Sequence, residues 1–171
     1  MAYGLLLLRV VTGGIILGHG LQKTFGWWNG PGPKGVHGWL GSVGFRFAAL
    51  MAVLLILSED AGLLLAVGLV TPLAALMIVS SQFVAIWTTH WKNGFWNGGG
   101  GYEFNVILIA AATAIAATGP GRLSIDRAIG WDDNWSGVWW GVGVLVIGFV
   151  TAALIATVLR KAPEMQEAAA A

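Results

Sequence analysis

A chain of 171 residues that is 57% hydrophobic and only 10% charged, with a mean hydropathy of +0.76, is excluded from the soluble class and reads as an all-α integral membrane protein. The length suits four to six spans with no separate extramembrane domain, and a net charge of +1 gives no footing for a nucleic-acid partner. The absence of cysteine removes disulfides, thiolate catalysis and thiolate metal sites, so redox chemistry needs a bound cofactor or another subunit.

The first predicted span runs from Gly4 to about Leu21. Met1-Ala2-Tyr3 has no basic region and no small-residue cleavage site follows, so this span is expected to stay in the mature protein. Arg9, Gly13, Gly20 and Lys23 share one helical face, with His19 at its edge. Lys23 can snorkel from a helix end, whereas Arg9 lies too deep to do so easily. Phe25 to Gly44 follows as a loop rich in glycine, with Trp27, Trp28, Pro31, Pro33 and Trp39, whose punctuation argues against a straight helix.

The second span, from about Phe45 to Leu69, contains the adjacent carboxylates Glu59 and Asp60. A charge at mid-membrane depth costs about 3 kcal/mol or more, so Glu59 needs a partner or a wet cavity. It belongs to a stripe of Ala48, Ala52, Leu55, Glu59, Gly62 and Ala66 that lets another backbone come close and is expected to face the bundle interior. Val70-Thr71-Pro72 is a tight turn into the third span, Leu73 to Trp91, which carries Ser80, Ser81 and Gln82 at its middle and Thr88, Thr89 and His90 near its end. Buried without a partner, Gln82 would be costly.

Lys92 to Glu103 is a second aromatic loop, with Asn93, Phe95, Trp96 and the four glycines Gly98 to Gly101. Phe104 to Thr118 is an alanine-rich fourth span, and Gly119-Pro120-Gly121 ends it. The polar stretch Arg122 to Gly137 has room for a short surface helix. Val138 to Leu159 is a fifth span with a GxxxG-like stripe of Gly137, Gly141, Val144 and Gly148 suited to packing. The chain thus divides into a four-helix unit over residues 1–130, an additional helix over 131–161 and a tail, 162–171, expected to be disordered.

Five spans place both aromatic loops on one membrane face, so His19, His37 and His90 gather there with Lys23, Lys34, Lys92 and Glu103. Membrane interfaces are rich in such residues for anchoring alone, which is the competing explanation. The histidines lack a local ligand spacing, so no metal site is assigned. Arg9 and Glu59 come out about 7–8 Å apart in depth, a gap an arginine can bridge, and are expected to form a buried ion pair.

Taken together, Leu8-Arg9, His19-Gly20-Leu21-Gln22-Lys23 with Phe25-Gly26, Glu59 with Gly62, and Gly68-Leu69-Val70-Thr71-Pro72 carry a resemblance. His90 with Asn93-Gly94-Phe95, Gly101-Tyr102-Glu103 and Gly119-Pro120-Gly121-Arg122-Leu123-Ser124-Ile125-Asp126 complete it. Over residues 4 to about 130 the chain resembles the DoxX family of bacterial membrane proteins, related to the DoxD subunit of thiosulfate:quinone oxidoreductases. The resemblance implies a four-helix transmembrane bundle in the bacterial inner membrane and, for some relatives, electron transfer to quinone; the fifth span departs from that minimal pattern.

Three functions compete. In the first, a redox-linked membrane subunit, a quinone is the candidate cofactor. His19, Lys23, His90 and Glu103 are its candidate catalytic groups, and Trp27, Trp91, Asn93, Phe95 and Trp96 wall the ligand site. The second is a non-catalytic accessory or scaffold subunit of a larger membrane complex, open to homo-oligomerisation. The third, transport of a small solute, rests on Glu59 and Gln82 alone.

Overall fold

The computed structural model describes residues 2–160, so the expected disordered tail over 162–171 lies outside the described residues. Helix α1 (Ala2–Phe25) runs through the first apolar stretch and stops at Gly26, whose φ of 73° is left-handed. Helix α3 (Ala48–Val67) stops at Gly68 in the same region, and Leu69 N–H reaches back to the Leu64 carbonyl at 2.9 Å in a Schellman-type closure. With Pro72 in its first turn, α4 (Thr71–Ala85) follows and continues through a wider turn, Ile86–His90, to Asn93. Helices α5 (Glu103–Thr118), α6 (Ile125–Ala128) and α7 (Val138–Val158) complete the chain.

One element departs from the expectation of a loop over Phe25 to Gly44: residues Gly32–Ser42 form helix α2. Pro31 and Pro33 fall at its start, where a missing N–H costs nothing, and Val36 and Leu40, four apart, bury one face. Proline and glycine therefore mark the ends and exposed side of this helix instead of forbidding it.

Among the described residues, four helices are long and apolar enough to cross a membrane (Ala2–Phe25, Ala48–Val67, Thr71–Asn93 and Val138–Val158), and α5 is a shorter apolar one. Helices α1, α3, α4 and α5 close a four-membered ring, α7 packs outside it on α4 and α5, and α2 lies on α1 and α3. Small residues set the spacing. Gly13 of α1 meets Gly62 and Ala66 of α3, leaving no room for a Cβ on either glycine. None of the six residues of the α3 stripe is exposed, so it turns inward as expected; of the α7 stripe Gly141, Val144 and Gly148 are buried, while Gly137, just before the helix, is exposed. The main core gathers Ile16, Leu65, Ile78, Val79, Leu108 and Ile115 between the ring helices.

The two faces are joined differently. At the face of the aromatic loops, Arg46 N–H donates to Leu159 at 2.9 Å and Arg160 Nε donates to the Val43 carbonyl at 2.8 Å, tying the end of α7 to the α2–α3 connection. At the opposite, N-terminal face, Asp126 is fully buried. Its carboxylate accepts from Val70 N (2.8 Å), Thr71 N (3.0 Å) and Thr71 Oγ1 (2.7 Å), capping α4 from a distant segment.

Arg9 belongs to this same clasp. Its guanidinium donates to the Pro120 carbonyl at 2.5 Å and to the Leu123 carbonyl, and lies against Gly68. The expected Arg9–Glu59 ion pair is therefore absent. Arg9 is level with Gly68, nine residues and about 13 Å along α3 from Glu59, because α1 starts well beyond the α3–α4 turn. Its Cβ also tilts toward the helix N-terminus, away from Glu59.

Candidate functional site

On the loop side of their shared turn, a cavity of about 890 Å³ is bordered by α3 and α4. Residues of α1, α2, α3, α4, α5 and α7 all reach its wall. Its surface is mostly apolar, with Trp39, Phe45 and Phe104 as the aromatic members. Each ring helix adds polar groups to it: His19 and Lys23 from α1, Ser58 and Glu59 from α3, Gln82 from α4 and Asn105 from α5.

These groups are linked. Lys23 Nζ donates to Glu59 Oε2 at 2.5 Å, so the lysine that ends α1 meets the carboxylate that needed a partner. Glu59 is 7% exposed, and removing either charge would strand the other in a largely apolar surrounding. Asn105 Nδ2 donates to Gln82 Oε1 at 2.8 Å, and Gln82 Nε2 reaches Ser81 Oγ at 3.4 Å, a weak contact. The His19 ring lies 6.5 Å from that of Phe104, beside Asn105. Glu59 sits nine residues before Gly68 and Gln82 eleven after Thr71, so both lie about 13–17 Å from the turn and form one polar belt. Ser58, Ser80, Ser81 and Thr88 hydroxyls donate to carbonyls of their own helices and need nothing further from the cavity.

His90 lies eight residues beyond Gln82, about 12 Å nearer the loop face, and also lines the cavity. Its Nδ1 bonds the Gly100 carbonyl at 2.7 Å. A carbonyl only accepts, so Nδ1 carries a hydrogen and Nε2 is left as the free ring nitrogen. Behind the wall, Asp60 takes a bond from Thr24 Oγ1 at 2.9 Å, while its other oxygen is buried against α1 with no partner.

Of the residues expected at the site, His19, Lys23 and His90 come together on the cavity wall. The others do not line it. Glu103 Oε2 accepts from Asn97 N–H at 3.0 Å and closes the second loop. Trp91 stacks on Tyr102 at 5.4 Å, Phe95 meets Trp96 edge-on at 5.1 Å, and Trp27 packs on Phe25 at 5.4 Å. Asn93 Nδ2 donates to Gly100 O at 3.1 Å, so the glycine run is an internal acceptor for His90 and Asn93. Trp27, Trp91, Phe95 and Trp96 are exposed at the loop end of the bundle, the position at which such rings anchor a membrane protein at the interface. Sequence reasoning passed over Trp39, Phe45, Met51 and above all Asn105, whose signal was plain: a lone amide inside an apolar helix.

Among the described residues, no group of three or more His, Asp or Glu side chains is placed to hold a metal ion. What the belt offers is the Lys23–Glu59 pair, the His19 imidazole and an amide pair beside an apolar space, with the His90 imidazole nearer the loop face.

A family model described as DoxX matches residues 4–91. A Bacillus subtilis (strain 168) protein named "Putative oxidoreductase CatD" is 32% identical over 126 residues, spanning 72% of this chain and 84% of the relative. No solved structure matches the chain significantly.

Proposed function

The chain belongs to the DoxX family, and on that footing we propose that it is a redox-linked subunit of the bacterial plasma membrane that binds a quinone in the cavity between α3 and α4. One observation carries the reading: a mostly apolar cavity of about 890 Å³ with a hydrogen-bonding belt drawn from all four ring helices. The oxidoreductase name of the Bacillus subtilis relative supports its redox half.

The wall suits a quinone. A flat ring needs apolar faces, which Trp39 and Phe104 supply, and donors for two carbonyl oxygens on opposite edges. Lys23 is a donor held in place by Glu59, and the Gln82–Asn105 pair has amide capacity left beyond its mutual bond. When bound, a quinone supplies an acceptor for two electrons and two protons. The residues placed to handle protons are Glu59 and Lys23, hydrogen-bonded to each other within the apolar belt, and His90, nearer the loop face. Lys23, Lys34, Arg46, Lys92 and Arg160 on the loop side, against Arg122 and Arg127 on the other, orient the loop face to the cytoplasm and the N-terminus outward.

Purification of the full chain in mild detergent, followed by extraction and identification of bound quinone, tests the proposal. About one quinone per chain is expected, falling sharply in Gln82→Leu. A preparation with no quinone but a stoichiometric partner protein would replace this reading with that of an accessory subunit.

A further inference from the structure

The polar belt occupies only one part of the cavity. Away from it, the wall is continuous with a second apolar cluster formed by Leu40, Phe45, Met51, Leu55, Val84 and Ile155, from α2, α3, α4 and α7 with the α2–α3 connection. A six-membered ring with small substituents fills a fraction of about 890 Å³ and leaves this apolar arm empty. Empty apolar volume of that size is costly in a packed interior, so the arm calls for an apolar occupant.

The arm also has a direction. Helices α3 and α7 share almost no packing along their lengths. Their connection is the clasp at the loop face, where Val43 and Arg46 meet Arg160 and Leu159. Below the clasp, Leu54 of α3 and Thr151 and Ile155 of α7 line the same cavity from its two sides, and Leu54 is also 45% exposed. The side wall between α3 and α7 therefore faces the hydrocarbon of the bilayer.

Resting on the reading of the belt as a quinone-head site, we propose that the space between α3 and α7 is a lateral portal through which a lipid-soluble ligand enters from the bilayer, its single hydrocarbon chain lying in the apolar arm against Thr151 and Ile155. The ligand class is thus an amphiphile with a ring head and an alkyl or isoprenoid tail, drawn from the membrane and not from the aqueous phase. Helix α7, which lies outside the residues matched by the family model, is the specificity element for that tail. Transfer of a tail from lipid to the arm exchanges one apolar surrounding for another, so the arm selects by shape and adds little to affinity.

The test uses the full chain in lipid nanodiscs and two probes with the same head: 2,3-dimethoxy-5-methyl-1,4-benzoquinone and its 6-decyl derivative. The wild type is expected to bind both. Ile155→Phe fills the arm and should weaken the decyl probe by about tenfold while changing the tail-less ring by less than about twofold. If Ile155→Phe binds the decyl probe as the wild type does, the portal is overturned and the head site stands. If the wild type binds neither probe, the quinone reading itself falls. Should Ile155→Phe fail to fold, a decyl probe with a diazirine at the tail end decides the matter in the wild type. Labelling of Leu54, Thr151 or Ile155 supports the portal, and labelling confined to α1 or α5 overturns it.

Discussion

At the N-terminal face, Asp126 takes three hydrogen bonds and Arg9 gives two, and neither residue lines the cavity. From mid-depth to the loop face, other buried polar groups (an ion pair, an amide pair and two imidazoles) border a cavity and keep bonding capacity in hand. Both sets are buried and both are spread along the sequence. Burial of a charge inside a span therefore does not separate a lock from a site; unfilled space beside it does.

The sharpest way to break the comparison is Asp126→Ala. It leaves two backbone N–H groups and the Thr71 hydroxyl without an acceptor at a fully buried helix start, and should cost about 4 kcal/mol in unfolding from detergent micelles. A loss under about 1 kcal/mol would mean that water reaches this capping site. Next comes Arg9→Leu, which strands the Pro120 and Leu123 carbonyls at an expected cost of about 3 kcal/mol. Combined with Glu59→Leu, the losses should add within about 0.5 kcal/mol, since the two residues lie about 13 Å apart in depth and share no partner; strong coupling between them would refute the separation.

Within the cavity, Lys23→Met and Glu59→Gln should each cost about 2 kcal/mol, and the double variant at least about 1 kcal/mol less than their sum, because removing both partners leaves no stranded charge. Additive losses in the same unfolding assay would show that the pair does not interact. The smallest effect is expected of Trp96→Ala. This side chain is 71% exposed and outside the cavity, so stability should change by less than about 0.5 kcal/mol and bound quinone not at all. Loss of quinone from that variant would return the site to the aromatic loops.

The spans were legible because hydrocarbon imposes a length and a composition that few soluble helices share. The inward stripes on α3 and α7 were legible too, since small residues at helical spacing need no knowledge of the partner. What escaped was register. Depth counted from loop ends placed Arg9 within side-chain reach of Glu59, yet the Gly13–Gly62 contact slides α1 by about one turn and hands Glu59 to Lys23. Helix α2 escaped because glycine and proline were weighed as breakers without asking which turn they occupied. Tryptophans drew the site outward to the loops, although a ring at headgroup depth is satisfied by the interface itself.

The capping of α4 by Asp126 has a consequence for biogenesis. Residues 70 and 71 are made more than fifty positions before the carboxylate that completes them, so the α3–α4 hairpin enters the bilayer with its turn amides served by water at the surface. Only when α5 has crossed and the Gly119–Asp126 stretch folds over the turn is that water displaced and Arg9, inserted first of all, given its acceptors. The earliest and latest parts of the ring thus meet at one closing step, and a nascent chain halted after Thr118 presents the translocon with an open hairpin and an unanswered arginine, a form that membrane quality control can tell from the finished bundle.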